Sequence, residues 1–405
     1  MDYGERLKLT VEISQSFTPS APIDRLSLFA GRTQQVTKLI NTVSQRGQHA
    51  VLFGERGVGK TSLATVLKDI LGQKHMDFAV ASTNCEAGST FASIFENLFS
   101  DLPLEYREQG MGFGQVTHKT LSSMRDVLPV NPKPEDIRKL FAKTVVPTIL
   151  IIDEIDRIEK GATTVALADT IKTLSYHASQ VTLILVGVAD SVDGLIKQHA
   201  SVERALAQIP MPRMSEDELL EIIDNGLKKV GMTADSGCAD RIAKLSHGLP
   251  HYTHSLALHA AQAAVARGSR RIDKPDIPKA IETSITDAQQ SIVSAYNLAI
   301  ASPRENLFRE VLLACALAPT DELGYFTTPS VREPMSKIMG RSYEIPAFAR
   351  HLNDFCTKDR GQILQRAGAA RRYKFRFKNP LMEPYVVMKG ISQKLIEPPV
   401  LDTLN

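Results

Sequence analysis

Residues 54 to 61 read Gly-Glu-Arg-Gly-Val-Gly-Lys-Thr, and this segment constrains the fold of the chain more than any other. It fits the pattern G-x-x-x-x-G-K-[ST], follows the apolar run HAVLF, and precedes the helical sequence SLATVLKDILG. Such a strand, loop and helix direct backbone N–H groups and the positive end of a helix at phosphate groups. The segment therefore predicts a P-loop at the carboxyl end of a buried strand.

Each residue type in the loop has a physical reason to be there. Three glycines let the backbone curl until its N–H groups face the phosphates. Lys60 is predicted to bridge β- and γ-phosphate oxygens, and the Thr61 hydroxyl to ligate Mg²⁺. The predicted ATP contacts are Gly54, Glu55, Arg56, Gly57, Val58, Gly59, Lys60, Thr61 and Ser62.

A second motif is an apolar run that ends in two carboxylates. TILIIDEIDRI, residues 148 to 158, places Asp153 and Glu154 at the end of a strand, at the edge of the sheet where ligands of open α/β folds bind. Asp153 is predicted to hold Mg²⁺, and Glu154 to act on an attacking water as a general base.

Apolar runs alternate with helix-length stretches from residue 26 to about 212, which predicts a parallel sheet sandwiched by helices. Residues 100 to 146 carry several Pro and Gly residues and are expected to be a partly helical insertion rather than a sixth strand. The predicted strands are 49 to 53, 78 to 83, 148 to 152, 182 to 187 and 205 to 210.

Helical sequences follow Met214, and SEDE supplies an N-terminal cap to the first of them. One long helix is expected over 276 to 300, and two β-like runs in GQILQRAGAARRYKFRFKNP then suggest a winged helix. The predicted organisation is an N-terminal extension (1–25), a P-loop core (26–212), a helical lid (213–285) and a winged-helix-like domain (286–405).

Composition narrows the functional classes. Lys and Arg number 48 against 45 Asp and Glu, so any nucleic-acid surface is expected to be a local patch. The four cysteines are far apart without a C-x-x-C pair, so neither a zinc knuckle nor a disulfide framework is suggested. The first residues lack a signal-peptide pattern, and apolar stretches are shorter than the roughly 20 residues of a membrane span, so a cytoplasmic protein without a membrane partner is expected.

Taken together, the motifs resemble the AAA+ ATPases, most of all the initiator clade of origin-recognition and Cdc6-type proteins, together with the related STAND ATPases. LFAGR (28 to 32) resembles the segment that closes over adenine, and IIDEID the second acidic motif. LVGVADSVD (185 to 193) resembles the strand with a γ-phosphate sensor, and SVERAL (201 to 206) the segment with an arginine finger. The resemblance covers about residues 26 to 285 and implies self-association through the ATP interface.

Site residues follow from this resemblance one by one. Gly31 and Arg32 are implied near the adenine. Asp190 stands where initiators usually have Asn, and an ionised Asp can only accept hydrogen bonds, so slower hydrolysis or a role for Ser191 is expected. Arg204 is the implied finger; a surface Arg and a rival finger at Arg213 remain open.

In the lid, the sequence reads Gly248-Leu249-Pro250-His251 where initiators carry a sensor Arg. This departure resembles the Gly-x-Pro signature of STAND ATPases and implies a nucleotide contact at Pro250. His251 is expected near phosphate. The histidines at 247, 251, 254 and 259 lack a completing Cys or carboxylate, which argues against a metal site.

The last candidate is a basic segment between Gly361 and Met382. Alternation places Tyr373, Phe375 and Phe377 on one face of a strand and the basic residues on the other. Such a face fits the phosphates of double-stranded DNA, or alternatively a solubilising or protein-docking surface. The candidate DNA contacts are Arg371, Arg372, Lys374, Arg376 and Lys378.

Three functions remain open from the sequence. The first is an ATP-hydrolysing AAA+ switch whose nucleotide state controls assembly on DNA. The second is a STAND-like signalling or antiviral-defence ATPase that acts through a partner protein. The third is a nucleotide binder that hydrolyses poorly, because Asp190 replaces Asn and the sensor Arg is missing from the lid.

Overall fold

The computed structural model describes residues 1–21, 29–73, 78–108, 117–121, 123–142, 144, 146–159, 161–177, 179–188, 202–302, 306–321, 323–369 and 372–396. Contacts divide the chain into two compact units. Unit 1 comprises Met1–Pro22, Glu55–Val58 and Pro212–Asn405, and unit 2 comprises Ile23–Gly54 and Gly59–Met211. The division passes through the P-loop itself, whereas the predicted boundary between lid and winged helix stays a prediction.

The elements are numbered here in chain order. The helices are α1 Tyr3–Ser16, α2 Thr33–Val43, α3 Lys60–Gln73, α4 Phe91–Ser100, α5 Pro134–Phe141, α6 Ala162–Tyr176, α7 Glu216–Lys229, α8 Ser236–Leu245, α9 Pro250–Ala266, α10 Asp276–Thr286, α11 Gln290–Ile300, α12 Phe308–Ala316, α13 Arg332–Met339, α14 Ile345–Asp354 and α15 Met382–Ser392. The strands are β1 His49–Phe53, β2 Ala79–Asn84, β3 Leu104–Glu108, β4 Thr117–Leu121, β5 Thr148–Asp153, β6 Val181–Gly187, β7 Leu206–Pro210, β8 Thr233–Ala234, β9 Arg271–Ile272, β10 Phe326–Thr327, β11 Leu364–Ala367 and β12 Lys374–Phe377.

Unit 2 is built on a five-stranded sheet in the order β2-β5-β6-β1-β7. All four pairings in it are parallel. Every residue of β5 and β6 is buried, which is why these strands read as unbroken apolar runs rather than alternating ones. The predicted parallel α/β sheet is therefore confirmed, and all five strands lie where the sequence placed them, within one residue at each end.

The insertion after α4 holds an element that the sequence did not reveal. β3 and β4 pair antiparallel as a two-stranded sheet of their own, apart from the five-stranded sheet. A 3₁₀ turn at Met124–Val127 and helix α5 follow. Within the described residues, this insertion adds no strand to the five-stranded sheet. The hairpin was missed because LEYRE and THKTL contain few apolar residues and give little period-two signal.

In unit 1, the first helix packs on the helical lid. α1 contacts α7 and α9, and Phe17, just after α1, lies against Gly226 of α7 and the ring of His254. Helix α1, within the stretch predicted as an N-terminal extension, therefore packs on two helices that follow Met214, and the predicted boundary at residue 25 stays a prediction. The SEDE cap is confirmed, since Ser215 and Glu218 form a reciprocal capping box at the start of α7.

The C-terminal part of unit 1 combines helices with a three-stranded antiparallel sheet in the order β10-β12-β11. The predicted basic hairpin is β11 and β12, and Phe375 and Phe377 are buried as the alternation required. This arrangement confirms the predicted winged-helix fold.

One predicted helix is wrong. The single helix expected over 276 to 300 is two helices, α10 and α11, because the chain leaves the helical region at Gln289, which has φ −54° and ψ 133°. The residues before this break, Thr286 and Asp287, have low helix propensity.

Among the described residues, no helix combines the length and apolar character needed to cross a bilayer.

Candidate nucleotide-binding site

The loop between β1 and α3 has the backbone geometry of a phosphate cradle. Gly57 and Gly59 have φ of +87° and +92°, a region that side chains rarely adopt. A Cβ on Gly54 would overlap the carbonyl oxygen of Met211, which follows β7. The Lys60 ammonium donates to the Gly54 carbonyl at 3.1 Å. All three predicted glycines are thus required by local geometry.

Thr61 and Asp153 meet across unit 2. The Thr61 hydroxyl donates to Oδ2 of Asp153 at 2.6 Å, and Oδ1 of Asp153 accepts the Glu154 N–H at 2.6 Å. The contact arises because β5 and the α3 start lie at the same carboxyl edge of the sheet. A hydroxyl and a buried carboxylate, both hard oxygen ligands, therefore stand side by side as a Mg²⁺ site requires.

The pKa of the Cys85 thiol is affected by the negative charges at this edge of the sheet. Its backbone N–H donates to the Asp153 carbonyl at 2.9 Å. Burial raises the pKa of its thiol to about 12, and the charges of Asp153, Glu154 and Asp156 add to the rise. The thiol is therefore protonated and unreactive, and the carboxylates give this edge a negative potential that favours a cation.

Glu154 adopts a left-handed conformation with φ +55°, which is uncommon for a residue other than glycine. Its carboxylate forms an ion pair with Arg157, with Nη1 and Oε2 3.0 Å apart and both side chains about half exposed. Sequence reasoning did not identify Arg157, although Glu and Arg at a spacing of three residues are a local signal for such a pair.

Gly31 and Arg32 lie immediately before α2. Both have positive φ, +65° and +61°, and Arg32 is the N-cap residue of the helix. The Arg32 side chain is buried. These positions form a fixed turn, and the adenine contact implied for them stays a prediction.

The two candidate finger residues have different surroundings. Arg204 is exposed in the 3₁₀ turn Glu203–Ala205 of unit 2. Arg213 is held in unit 1 between the carboxylates of Glu55 and Glu383. Arg204 is thus exposed and Arg213 is engaged by two carboxylates, and the finger role implied for Arg204 stays a prediction. Asp190 and Ser191 lie outside the described residues.

In the lid, Pro250 occupies the first position of α9, as its fixed φ favours. His251 does not face open space, because its Nδ1 donates to the carbonyl of Pro19 at 2.7 Å. Burial lowers the pKa of His251, with the Pro19 hydrogen bond opposing the shift. Within the part of the chain that the structure describes, no three His, Cys, Asp or Glu side chains form a metal-ligand set.

Several basic side chains of the hairpin are engaged by other residues of unit 1. Lys374 forms an ion pair with Asp321 at 2.9 Å, and Lys378 donates to Gln362 at 3.4 Å. The Arg376 guanidinium lies over the ring of Tyr325, 4.6 Å from its centre. Arg372 is exposed. Arg371 lies outside the described residues.

A parallel sheet in the order β2-β5-β6-β1-β7, with the P-loop threonine bound to the acidic end of β5, defines the AAA+ class of P-loop ATPases. Comparison with protein families specifies the class further. The model of the family described as novel STAND NTPase 1 matches residues 22–264, more than half of the chain. The chain belongs to this family, which agrees with the Gly-x-Pro feature of its lid.

The chain is also similar to one individual relative and to two solved structures. The ORC1-type DNA replication protein 2 of Thermoplasma acidophilum is 23% identical over 330 residues, which are 78% of this chain and 72% of the relative. The Walker-type ATPase of Pyrococcus abyssi has a TM-score of 0.54 at 15% identity, covering 91% of this chain and 98% of that one. The Aeropyrum pernix ORC1 protein in complex with DNA has a TM-score of 0.49 at 14% identity, covering 94% and 97%. The structural likenesses concern the fold alone.

Proposed function

We propose that this protein is a Mg²⁺-dependent ATPase whose bound nucleotide controls its assembly. The observation that carries the proposal is the hydrogen bond between Thr61 and Asp153, 2.6 Å long. It joins the phosphate loop to the acidic strand end, the two parts that phosphoryl transfer requires at one place.

The residues present fit both ATP and Mg²⁺. Backbone N–H groups of the P-loop would bind the phosphates, and Lys60 would leave the Gly54 carbonyl for a phosphate oxygen. Thr61 and Asp153 would hold Mg²⁺, which usually takes only one or two protein ligands beside phosphates and water. When bound, the ion neutralises charge that develops on the phosphates.

Glu154 is the proposed general base. It is adjacent to Asp153 in sequence, and its carboxylate would orient a water molecule and accept its proton. The ion pair with Arg157 occupies the same carboxylate, so Glu154 must release Arg157 before it acts. Asp190, in place of the usual Asn, supports a slow turnover.

Assembly would complete the site. Arg204, exposed in unit 2, is the proposed finger that a neighbouring subunit inserts toward the γ-phosphate. Nucleotide binding would then favour the assembled state, because the finger gains a partner only when ATP is present.

Nucleotide binding is tested with a fluorescent ATP analogue, with and without Mg²⁺, on the parent and on Lys60→Ala. We expect binding by the parent that strengthens with Mg²⁺ and falls at least tenfold in the variant. Light scattering of the same samples should show larger particles with ATP and Mg²⁺ than without. Normal ATP binding by Lys60→Ala would mean that the P-loop assignment is wrong.

Double-stranded DNA is the first candidate for the surface on which the protein assembles. The basic hairpin and the name of the Thermoplasma acidophilum relative, a DNA replication protein, support it. Phosphate contacts predict an affinity that falls steeply with salt. DNA affinity measured at salt concentrations from about 50 to about 200 mM should fall steeply. Arg372→Ala should make the affinity depend less steeply on salt.

A partner protein is the second candidate. Membership of a STAND family and the internal pairing of Lys374 and Arg376 favour it, because paired charges are less available to phosphates. The test is whether duplex DNA changes ATP turnover or particle size, and whether its affinity depends on salt. If none of these effects is found, a partner protein, and not DNA, is the favoured surface for assembly.

A further inference from the structure

Residues Glu55–Val58 form the tip of the P-loop. The tip is held by a buried ion triad of Glu55, Arg213 and Glu383. Arg213 lies just before α7, and its Nε donates to Oε2 of Glu55 at 2.7 Å. The other edge of the guanidinium makes a two-pronged contact with Glu383 of α15, with Nη1 and Oε1 2.9 Å apart and Nη2 and Oε2 2.7 Å apart. All three residues belong to unit 1. One guanidinium therefore binds the second residue of the P-loop and a residue of α15.

The triad is desolvated, and Arg213 and Glu383 hold each other in their charged forms. Side-chain exposure is 10% for Glu55, 19% for Arg213 and 4% for Glu383. Burial alone would raise the pKa of Glu383, but the charge of Arg213 and hydrogen bonds from His247 and Arg213 hold it at about 2. Burial opposes the charge on Arg213, and the two carboxylates outweigh it and raise its pKa. Replacing Arg213 by a neutral residue would leave two buried carboxylates without their shared cation, whereas neutralising one carboxylate leaves one ion pair.

Steric contacts fix the loop tip at the same place. A Cβ on Gly324 would overlap Oε1 of Glu55, so a side chain at position 324 would displace this carboxylate from its present place. A Cβ on Gly57 would stand 3.2 Å from Cδ2 of Leu381, just before α15. The Leu381 carbonyl accepts the Tyr252 hydroxyl of α9 at 2.7 Å. The loop tip is therefore in contact with both the lid and the C-terminal module, residues 286–405.

We propose that Arg213 is a positioning residue for the P-loop and that Glu383 links this positioning to the C-terminal module. The proposal rests on the proposed function, since it concerns the same nucleotide site. A loop whose shape is fixed before binding loses less conformational entropy when it binds, so docking of α15 on the loop tip strengthens nucleotide binding. By linkage, nucleotide binding strengthens the docking of α15 by the same factor.

The triad acts on the shape of the loop and not on the γ-phosphate, which gives a specific expectation. Glu383→Gln keeps the volume and removes the charge. It should raise the Kd of ATP and of ADP by a similar factor of at least five, while kcat at saturating ATP changes less than twofold. Glu55→Gln should act in the same direction, and the double variant should lose less than the product of the two factors, because both side chains share Arg213.

The matched control is Glu333→Gln on α13, whose side chain is 74% exposed and pairs with Lys337 on the same helix. It should bind both nucleotides like the parent. A second readout is hydrogen exchange of α15, which ADP should slow in the parent and leave unchanged in Glu383→Gln. A purely structural role of the triad would lower the unfolding temperature without this nucleotide-dependent difference.

The experiment separates this inference from the proposed function. If the parent itself fails to bind nucleotide, the proposed function fails. If the parent binds and Lys60→Ala does not, the function stands, and unchanged Kd values in Glu383→Gln then overturn the triad alone. An effect on ATP without one on ADP also overturns it. If Glu383→Gln does not fold, Glu55→Gln decides, because it retains the pair between Arg213 and Glu383.

Discussion

At the scale of single residues, Arg157 is the side chain that most directly restrains the proposed base. Its ion pair with Glu154 is about half exposed, and such pairs contribute at most about 1 kcal/mol. Arg157→Ala should therefore raise kcat for ATP hydrolysis by up to about fivefold, since 1.4 kcal/mol corresponds to tenfold, and leave the Kd of ATP unchanged. Steady-state turnover and direct binding measure the two quantities.

Arg138→Ala is the control for this variant. Arg138 pairs with Glu135 at the same spacing of three residues on α5 and should leave turnover unchanged. A fall of kcat in Arg157→Ala would mean that Arg157 assists the reaction instead of restraining Glu154.

His49 makes unit 2 sensitive to acid. It is buried in β1, where its Nδ1 accepts the Leu183 N–H, and burial lowers its pKa from 6.5 to about 3. A lowered histidine pKa gives stability that is complete above pH 6.5 and is lost as the pH falls from there toward 3. At pH 5 the loss is about 2 kcal/mol. Urea unfolding between pH 7 and 5 measures it.

His49→Asn keeps an acceptor near the Leu183 N–H and removes the titrating group. It lowers stability at neutral pH, but its unfolding free energy should change less between pH 7 and 5, by about 2 kcal/mol. The exposed His177, replaced by Asn in the same way, should leave the slope of the parent intact. An equal slope in His49→Asn would contradict the assignment.

The sequence predicts residues of this site when their neighbours are close in the chain or fixed by a motif. Lys60, Thr61 and Asp153 follow from spacing alone, and Thr61 and Asp153 do meet. Arg213 could not be understood in this way. Its partners lie 158 and 170 residues away, and nothing local distinguishes a buried triad from a surface arginine.

At the scale of elements, the contact between α1 and the lid depends on one small residue. A Cβ on Gly226 would overlap the ring of Phe17. Gly226→Ala should therefore destabilise unit 1 by about 1–3 kcal/mol, the usual cost of overpacking, even though alanine favours helices. Urea unfolding followed by circular dichroism measures the loss.

Phe17→Leu tests whether the loss comes from this contact. It removes ring atoms at the point of overlap, so the double variant should lose less stability than the sum of the two single variants. Additive losses would show that Gly226 matters for another reason.

Prediction of the elements succeeded where burial imposes a regular pattern. β5 and β6 are buried on both faces, and their apolar runs show it. The break between α10 and α11 depends on the backbone of Gln289, and a helical pattern continues across it in the sequence. α1 buries only Leu9, Ile13 and Ser16, so its apolar face is narrow and easily overlooked.

At the scale of the whole molecule, the net charge of +3 conceals an uneven distribution. Carboxylates gather at the edge of the sheet where Mg²⁺ is proposed, and basic residues at the C-terminal hairpin. The sequence predicted both concentrations. It could not predict that Asp321 and Tyr325 engage Lys374 and Arg376, because those contacts depend on the three-stranded sheet.

The assembled form should persist for as long as ATP stays bound and is not hydrolysed. Glu154→Gln retains the ligands for ATP and Mg²⁺, so it should hold ATP and stay in the large form, whereas the parent returns to the small form as ATP is used. Light scattering over the time of hydrolysis follows both. The Arg204→Ala substitution should prevent formation of the large particle both in the parent and in Glu154→Gln.

ATP hydrolysis is proposed to take place at the P-loop with Glu154 as the general base. The most direct measurement is a single-turnover assay of bound ATP on the parent, Lys60→Ala and Glu154→Gln. We expect hydrolysis by the parent and no bound ATP in Lys60→Ala. In Glu154→Gln, we expect ATP to bind but to be hydrolysed at least a hundredfold more slowly, within the range of general-base contributions. Hydrolysis by Glu154→Gln at the parental rate would show that Glu154 is not the general base.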